Sequence, residues 1–461
     1  MLYSPPSAGA LVDRMMVCTA RPGSSPMLRS GIEELARRTQ AVPVVVWVAL
    51  GFLISYLLFF IGPVFLRANS MQFFEPVPAA DHLGIDLKIR LNWSAYSLYP
   101  EQRPLPDAEG TVFPPLANLL FAPLLGLRFS VAYGLLTVLT VLLYVFLTLW
   151  LPVLIRAGQR LSSFAVLICA TGLVSAGFQF ELERGQWNVI AVFLALMAVW
   201  IFHRHRRQRI IAYVLFVISV QLKIYPIVFV VLLVSDWRLW RENIIRLSLL
   251  AAANVLLFFV QGPRLFTIWI SGLRDWSAST WIWEGNPSIQ SAVTLAADFA
   301  ARRGWVWLSS SAGLIQAALS LAVLLCLAVI LVHAYRSQTR VPSEHYLLAA
   351  ALGCLLIPGG AFDYRLSILG APLILFLLSE EADRGNSLRP FNGLTRRLAI
   401  LLLSFAYATT LVPNSQRPYY LANNFPALFV MLLLVTFLAL SSGESPSERG
   451  ALEGTPGASP A

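Results

Sequence analysis

The chain has 461 residues, of which 57% are hydrophobic and 13% are charged, and its net charge is +10. Because soluble proteins average about 25% charged residues, this composition excludes an ordinary soluble domain and indicates a polytopic membrane protein. The positive charges lie in short loops between apolar runs, as membrane insertion requires, so we predict no nucleic-acid partner.

The N-terminal segment 1–40 contains arginines but no apolar signal-peptide core, and we predict a cytoplasmic tail there. The first apolar run, 41–66, is too long for such a core, and we interpret it as a signal anchor. The later runs predict an all-α helical bundle of about twelve membrane segments, within a range of about 11 to 13, between residues 41 and 441. The candidate segments are 41–66, 130–155, 162–180, 186–202, 210–222, 224–236, 243–261, 311–335, 346–358, 364–379, 397–413 and 424–441. The tail 442–461 is rich in Ser, Gly, Pro and Glu and is predicted to be disordered.

Two long segments, 67–127 and 262–310, are predicted to face outward. The first is polar and ends in an amphipathic stretch that is too short to cross a bilayer and is expected to lie along its surface. The second contains six of the 13 tryptophans. These tryptophans fit either an interfacial aromatic belt, which is the commoner arrangement, or a surface that stacks on sugar rings or an isoprenoid chain.

Residues 210–236 are apolar apart from a few positions, and one straight helix over them would be about 40 Å long, against a hydrocarbon core of about 30 Å. If the chain instead reverses between Lys223 and Pro226, the arginine-rich patches 203–209 and 236–246 share one side of the membrane. The later arginine-rich loops then fall on that side as well, in agreement with the positive-inside rule. We therefore predict a hairpin here, with both termini in the cytoplasm.

Lys223 is a charged residue within this apolar region. A charge at membrane depth costs at least about 2.5 kcal/mol unless it has a partner, so such a residue commonly marks a substrate or ion site. The alternative is a lysine whose stem lies in lipid while its amine reaches the headgroups. At a helix break near Pro226, the amine could bind a phosphate as a point charge.

Asp86 lies in the first outer segment, about twenty residues after the first apolar run. A carboxylate pressed against the outer edge of the membrane is a candidate general base. The alternative is an ordinary solvated aspartate in a loop.

Two further polar groups interrupt the apolar pattern. Glu183, Arg184, Gln186 and Asn188 lie between two apolar runs, where they could recognise sugar hydroxyls or could form a short loop that caps the next helix. Asp363 and Arg365 lie in another predicted outward loop, where they could contact a sugar or could pair with each other. We list all six as sugar- or acceptor-binding candidates.

Several motifs are absent from the sequence. It contains no GxxxxGK[ST], so an ATP-driven motor is not indicated, and no DxD, so there is no sign of a metal-bound nucleotide-sugar site. The five histidines are scattered without metal-ligand spacing. We therefore predict neither a metal nor a cofactor.

Three stretches resemble glycosyltransferase family 87, a family of C-fold, polyprenyl-phosphate-mannose-dependent mannosyltransferases. The first combines Gly84-Ile85-Asp86 with the run 113–124 (FPPLANLLFAPL), the second is 185–188 (GQWN), and the third is 223–226 (KIYP). Together they cover roughly residues 80–245, and beyond that range the similarity is mainly one of hydropathy.

This resemblance implies a multi-pass protein of the bacterial inner membrane that transfers one sugar from a polyprenyl-phosphate carrier to a glycolipid or glycan acceptor at the periplasmic face. Asp86 would deprotonate the acceptor hydroxyl, and the anomeric configuration would invert. Lys223, with Tyr225, would bind the donor phosphate, and no metal would be required. Family members often carry a histidine in the late outer loop where this chain has Asp363-Tyr364-Arg365, so the sugar need not be mannose.

Three other functions stay open at this point. A transporter or flippase of a lipid-linked glycan could use the same charged groove without a base, although transporters usually show internal repeats and this chain has none. A polymerase or ligase would transfer an oligosaccharide rather than one sugar. A non-catalytic scaffold would leave the lysine at membrane depth without a purpose. The sequence does not indicate an oligomeric state.

Overall fold

A computed structural model gives the fold. It describes residues 42–57, 83–103, 105–106, 112–155, 162–234, 236, 239–278, 286–337, 344–361, 363–382, 390–408 and 424–441. The predicted tails, 1–40 and 442–461, lie outside these ranges, as do parts of both predicted outer segments.

Every regular element within the described ranges is a helix, and no strand occurs there. In chain order the α-helices are α1 (Val44–Tyr56), α2 (Ile85–Leu98), α3 (Pro115–Phe121), α4 (Phe129–Ile155, with a π-helical turn at Phe146–Trp150), α5 (Ser163–Leu173), α6 (Ala176–Arg184), α7 (Asn188–Arg204), α8 (Arg209–Leu222), α9 (Trp240–Phe258), α10 (Gly262–Ala278), α11 (Ile289–Arg302), α12 (Val306–Ser310), α13 (Ala312–Ser337), α14 (Glu344–Leu356), α15 (Gly370–Ala382), α16 (Pro390–Tyr407) and α17 (Phe425–Ser441). The 3₁₀ helices are Ala122–Gly126, Arg206–Gln208, Tyr225–Leu232 and Asp363–Leu369.

The helices differ in their ability to cross a membrane. Within the described ranges, α4 and the Ala312–His333 part of α13 are long and apolar enough to do so, with 27 and 22 residues. Two bent pairs, α5 with α6 and α9 with α10, would raise this number to four if each pair is one span. Six shorter apolar segments of 10–17 residues complete the set. The predicted all-α membrane bundle is confirmed, and many of its segments are shorter than the roughly 20 residues of a full span.

The distribution of exposed apolar side chains shows which helices lie inside the bundle and which lie at its surface. A helix that is apolar on all sides must be buried, and α14 fits this rule because every residue from His345 to Leu356 is buried. By contrast, α4, α9 and α13 each expose a row of large apolar residues, as helices in contact with lipid do. These residues include Val131, Leu135, Val138, Leu142, Ile245, Leu249, Leu256, Leu314, Leu321, Leu325 and Val332.

The chain reverses direction after α8, as the hairpin interpretation expects. At the start of the 3₁₀ helix Tyr225–Leu232, the hydroxyl of Tyr225 lies 3.1 Å from Oδ1 of Asn188, the first residue of α7. At its end, the carbonyl oxygen of Leu232 lies 2.8 Å from Nε2 of His203, near the last residue of α7. This segment therefore runs back alongside α7. It is a 3₁₀ helix of eight residues rather than a full-length α-helix.

The described parts of the two predicted outer segments are also helical. The first contains α2 and then α3, which begins with Pro115 at its first position, where a missing N–H costs nothing. The second contains α10, α11 and α12, and α10 leaves α9 at an angle of 100°. The side chain of Gln261, at this corner, contacts Asn118 of α3 and Ser97 of α2. The two outer segments thus meet at the same end of the bundle.

Candidate active site

Two glycines in left-handed conformations bring the first outer segment against the end of α6. Gly84 (φ 65°) precedes α2, Gly185 (φ 64°) ends α6, and the amide of Gly84 donates a 2.7 Å hydrogen bond to the carbonyl of Glu183. A Cβ atom on Gly185 would lie 3.2 Å from the Cα of Gly84 and 3.1 Å from the Cβ of Leu87. Glycine adopts this conformation without strain, and any side chain here would have to displace its neighbours by a few tenths of an ångström.

The same turn orients the residues that follow α6. The amides of Gly185 and Gln186 donate to the carbonyls of Leu182 and Glu181, which is the Schellman pattern of a helix end. Arg184 and Gln186 then flank the glycine on the side where α2 begins. Asp86 occupies the first turn of α2, where the helix dipole favours a negative charge.

Asp86 is held by three donors. Arg184 forms a two-pronged contact, with Nη2 at 2.6 Å from Oδ1 and Nε at 3.1 Å from Oδ2. The side-chain amide of Gln186 also donates to Oδ2. A carboxylate offers about four lone-pair positions, so Oδ1 of Asp86 retains one for a further donor. Asp86 is 8% exposed, whereas the side chain of its partner Arg184 is 33% exposed.

Lys223 lies on the other side of Gln186. Its Nζ donates a 2.6 Å hydrogen bond to Oε1 of Gln186 and lies 4.4 Å and 4.7 Å from the ring centroids of Phe113 and Trp187. Lys223 is 5% exposed, so the amine is inside the protein and does not reach out from it. The Gln186 amide thus bridges Asp86 and Lys223, as an acceptor for the cation and a donor for the carboxylate.

A second cation, Arg90, shares the aromatic rings with Lys223. Its guanidinium carbon lies 4.4 Å from the centroid of Phe113 and 5.9 Å from that of Trp187. Arg90 is 1% exposed, and its Nη1 donates to Oδ1 of Asn118. Burial lowers the pKa of Arg90 to about 9, and the nearby charge of Asp86 opposes that shift, so Arg90 is a cation at neutral pH.

A ring of hydrogen bonds connects Arg90 to the corner between α9 and α10. Asn118 donates to Oε1 of Gln261 at 3.0 Å, and Gln261 donates to the hydroxyl of Ser97 at 3.0 Å. Ser97 donates to the carbonyl of Ser94 and Ser94 to that of Arg90, both at 2.9 Å. The position of Arg90 therefore depends on contacts among α2, α3 and the turn between α9 and α10.

Tyr225 joins two further residues to the site. Its hydroxyl donates to Oδ1 of Asn188 at 3.1 Å, and the guanidinium carbon of Arg365 lies 4.9 Å from the centroid of its ring. The carbonyl of Tyr225 accepts a hydrogen bond from the thiol of Cys354 at 3.2 Å. Tyr225 therefore holds together the start of α7 and the 3₁₀ helix Asp363–Leu369.

Comparison with known proteins identifies the family. The family model of glycosyltransferase family 87 matches residues 112–358, which is more than half of the chain. The chain belongs to glycosyltransferase family 87. No curated protein and no solved structure matches it.

Within this glycosyltransferase, the structure brings several predicted site residues together. Asp86, Arg184, Gln186 and Lys223 form one continuous network, although Asp86 lies before the range matched by the family model. The predictions that these side chains bind substrate remain predictions.

The remaining predicted residues lie around this network. Asn188, Tyr225 and Arg365 form the adjoining group. Glu183 contributes its backbone carbonyl to the Gly84 contact, and Asp363 opens the 3₁₀ helix Asp363–Leu369, whose first two side chains lie outside the described part. The alternative that Asp363 pairs with Arg365 therefore falls on a side chain that the structure does not describe.

Two parts of the site of this glycosyltransferase were not predicted from the sequence. Arg90 lies four residues after Asp86, a spacing that places both side chains on one face of a helix and could have indicated the second cation. The aromatic pair Phe113 and Trp187, with ring centroids 4.9 Å apart, is 74 positions apart in sequence, and only the fold reveals it. In the part of the chain that the structure describes, no group of three His, Cys, Asp or Glu side chains could hold a metal ion.

Proposed function

We propose that this glycosyltransferase moves a single sugar, mannose or another hexose or pentose, from a polyprenyl-phosphate carrier to a glycolipid or glycan acceptor. The reaction takes place at the periplasmic face of the bacterial inner membrane, inverts the anomeric configuration and needs no metal. The supporting observation is the charge of the site. Asp86 is already paired with Arg184, whereas the buried Lys223 donates to the neutral Gln186 amide and has no ion pair among the described side chains. A buried cation is stabilised by an anionic partner, and a phosphate-linked donor supplies one beside Lys223.

Asp86 is the general base of this reaction. A hydroxyl of the acceptor donates to the remaining lone pair on Oδ1, and the carboxylate takes its proton as the oxygen attacks the anomeric carbon. Arg184 and Gln186 fix the carboxylate so that only one direction is open to the acceptor. Such positioning lowers the entropy that must be lost on reaching the transition state.

Lys223 acts on the leaving group. As the bond between the anomeric carbon and the phosphate oxygen breaks, its electron pair moves to the phosphate, whose negative charge increases. The ammonium of Lys223 and the guanidinium of Arg90 favour this developing charge because both are fixed in a region from which water is largely excluded. Phosphate can accept hydrogen bonds from the N–H groups of Lys223 that Gln186 does not occupy.

The geometry favours inversion. The carboxylate of Asp86 and the ammonium of Lys223 contact opposite ends of the Gln186 amide. An acceptor beside Asp86 and a phosphate beside Lys223 would therefore approach the sugar from different sides. A single displacement of this kind inverts the anomeric carbon, whereas retention would require a carboxylate that attacks the sugar itself.

The first test is sugar transfer by purified protein in liposomes, with radiolabelled polyprenyl-phosphate-mannose, other lipid-linked sugars and a lipid extract as acceptor. Asp86→Asn is expected to reduce transfer by about 10²- to 10⁴-fold because the amide cannot accept the proton. Asp298→Asn is the matched control, since Asp298 is an exposed carboxylate on α11 that pairs only with its neighbour Arg302 among the described side chains. If the Asp86→Asn variant transfers sugar at the same rate as the wild type, Asp86 is excluded as the base.

The same experiment separates the rival functions. Movement of an intact lipid-linked glycan between leaflets, without transfer of sugar by the wild type, would identify a flippase. Addition of several sugars in one step would identify a polymerase or ligase.

The proposed side of the membrane has its own test. Tyr99 is exposed after α2, and Arg206 is exposed between α7 and α8 at the opposite end of α7 from the site. In a Cys18→Ser background, a membrane-impermeant maleimide should label Tyr99→Cys in intact spheroplasts and Arg206→Cys only after permeabilisation. The reverse pattern would place the site on the cytoplasmic side. The described native cysteines, Cys169, Cys326 and Cys354, are buried.

A further inference from the structure

Arg365 presents buried donors that the described protein does not satisfy. Its Nε and Nη1 atoms are inaccessible to solvent and have no hydrogen-bond partner among the described residues. Its guanidinium lies over the ring of Tyr225, which holds the group in place but offers no acceptor for these N–H groups. Buried polar groups in native proteins are nearly always hydrogen-bonded, so each exception requires an explanation.

Asn188 shows the same feature on the hydroxyl side of the same tyrosine. Asn188 is fully buried, and its Oδ1 accepts a hydrogen bond from Tyr225. Its Nδ2 is buried and has no partner within the described part of the chain. Tyr225 therefore holds two side chains with three buried nitrogen atoms, Nε and Nη1 of Arg365 and Nδ2 of Asn188, that have no acceptor among the described residues.

A negatively charged acceptor fits these donors best. The charges of Arg365 and Lys223 repel one another, and the carboxylates of Asp86 and Glu181 offset part of this repulsion at Lys223. A neutral hydroxyl between them would leave this repulsion in place, whereas an anion with several oxygen atoms would convert it into attraction. Phosphate meets both requirements, and the planar fork of an arginine matches its oxygens better than an ammonium does.

We infer that Arg365 and Asn188 bind the phosphate of the lipid-linked donor together with Lys223, a refinement that rests on the proposed function. Tyr225 is then a positioning residue, because its hydroxyl and ring are used to hold these two ligands. This assignment places Arg365 and Asn188 at the phosphate, not at the sugar or acceptor hydroxyls for which the sequence made them candidates.

The surroundings keep these donors in place before the substrate arrives. Ser367, two residues after Arg365, donates a 2.6 Å hydrogen bond to Oε2 of the buried Glu181. Oε1 of Glu181 accepts a 2.9 Å hydrogen bond from the amide of Val189, next to Asn188. One carboxylate thus ties the segment that carries Arg365 to the helix that carries Asn188. Because the Arg365 and Asn188 side chains are already fixed in this way, they lose little conformational entropy when the phosphate binds.

The test is binding of polyprenyl monophosphate, which has no sugar, to purified full-length protein, measured by native mass spectrometry over a titration. Arg365→Gln should weaken binding by about tenfold to a hundredfold, the range expected for the loss of hydrogen bonds from a charged group. Arg365→Lys should recover only part of the loss, because an ammonium keeps the charge without the fork. Arg302→Gln is the matched control, since it removes an exposed guanidinium on α11.

Asn188→Asp provides a second, independent variant. It keeps the volume of the side chain and the acceptor for Tyr225, but it replaces the Nδ2 donor with a negatively charged oxygen. Binding should fall by at least about tenfold because this oxygen repels the phosphate. If Arg365→Gln is not recovered as folded protein, this variant decides the matter.

The outcomes separate this inference from the proposed function. If Arg365→Gln and Asn188→Asp both bind polyprenyl monophosphate as tightly as the wild type does, the inference is overturned and the proposed class of donor is unaffected. An equal loss in Arg302→Gln would show a general effect of charge and would also overturn it. A wild type that does not bind polyprenyl monophosphate would contradict the donor class, and the inference with it.

Discussion

The two sides of the Gln186 amide differ in how their charges are balanced. On one side, Asp86 and Arg184 form a complete ion pair within the protein, with both carboxylate oxygens engaged. On the other side, Lys223 and Arg90 are buried against the same aromatic rings. Lys223 donates to the neutral amide of Gln186 and has no ion pair among the described side chains.

This difference indicates which side of the Gln186 amide is completed by a bound anionic ligand. A self-compensated pair can persist without substrate and keeps the base in one orientation. A cation such as Lys223, whose contacts are a neutral amide and two aromatic rings, gains only part of the stabilisation that an anion would give. The site is therefore stable where it must position an uncharged hydroxyl and incomplete where it must bind a phosphate. Removing a charge should have opposite consequences on the two sides.

After Asp86→Asn, the largest effect is expected from Lys223→Met. Loss of the ammonium should reduce sugar transfer by about 10²- to 10³-fold, the usual effect of removing one group that stabilises developing negative charge. The same change should raise the melting temperature of the unliganded protein, because the cost of burying a charge without an ion pair among the described side chains outweighs its one hydrogen bond to Gln186. Transfer assays and thermal unfolding of one preparation test both effects. Normal transfer, or a lower melting temperature, would contradict the claim that the Lys223 side of the site lacks an anion until the donor phosphate binds.

The next effect concerns the turn that aligns both sides. Gly185→Ala forces a side chain into a left-handed conformation and into contact with Gly84 and Leu87, so Arg184 and Gln186 should shift relative to Asp86. Because a shift of about 1 Å can cost 10²-fold in rate, we expect transfer to fall by about tenfold to a hundredfold.

Gly304→Ala is the control for this glycine. Gly304 also has a positive φ of 76°, but a Cβ atom there would meet nothing within 4 Å. It should therefore share the conformational strain of Gly185→Ala without the loss of transfer. Equal activities in the two variants would show that the contact between the two turns does not align the site.

How much of this could be read from the sequence depends on the range of the interaction. The reversal at Lys223 follows from the length of the apolar run and the arginine patches, because both are local properties of the chain. The 3₁₀ form of residues 225–232 does not follow, since hydropathy cannot separate it from an α-helix. The proximity of Asp86 to residues near 185 and 223 was implied by the order of the family motifs, not by local chemistry.

The second cation was harder to predict. Arg90 lies in a polar outer segment, where an arginine is usually solvated. It is buried by Asn118 of α3 and by Phe113, which precedes α3. Asn118 is in turn held by Gln261, 143 positions away in the sequence. Contacts of this kind are set by packing between segments that no local pattern connects.

Gln261→Leu tests this long-range contact and should have a moderate effect. It removes the hydrogen bonds to Asn118 and Ser97, so Arg90 is held less firmly over Phe113. A net loss of about 1 kcal/mol would raise the KM for the lipid-linked donor by about fivefold and leave the KM for the acceptor unchanged. Gln208→Leu, on the exposed 3₁₀ helix Arg206–Gln208, is the control. An increase in the acceptor KM instead would assign this corner to the other substrate.

The smallest effect is expected from Arg184→Gln, on the self-compensated side. Arg184 is 33% exposed, so water can replace part of its contact with Asp86, and exposed ion pairs contribute about 1 kcal/mol or less. The free energy of unfolding should therefore change little, and transfer should fall by no more than about fivefold, because Gln186 still holds the carboxylate. The direction of the stability change distinguishes the two sides: Lys223→Met should stabilise the unliganded protein, whereas Arg184→Gln should destabilise it slightly. If Arg184→Gln instead stabilises the protein and abolishes transfer, Arg184 is itself an anion-binding residue. The phosphate would then bind on the Arg184 side of Gln186 and not on the Lys223 side.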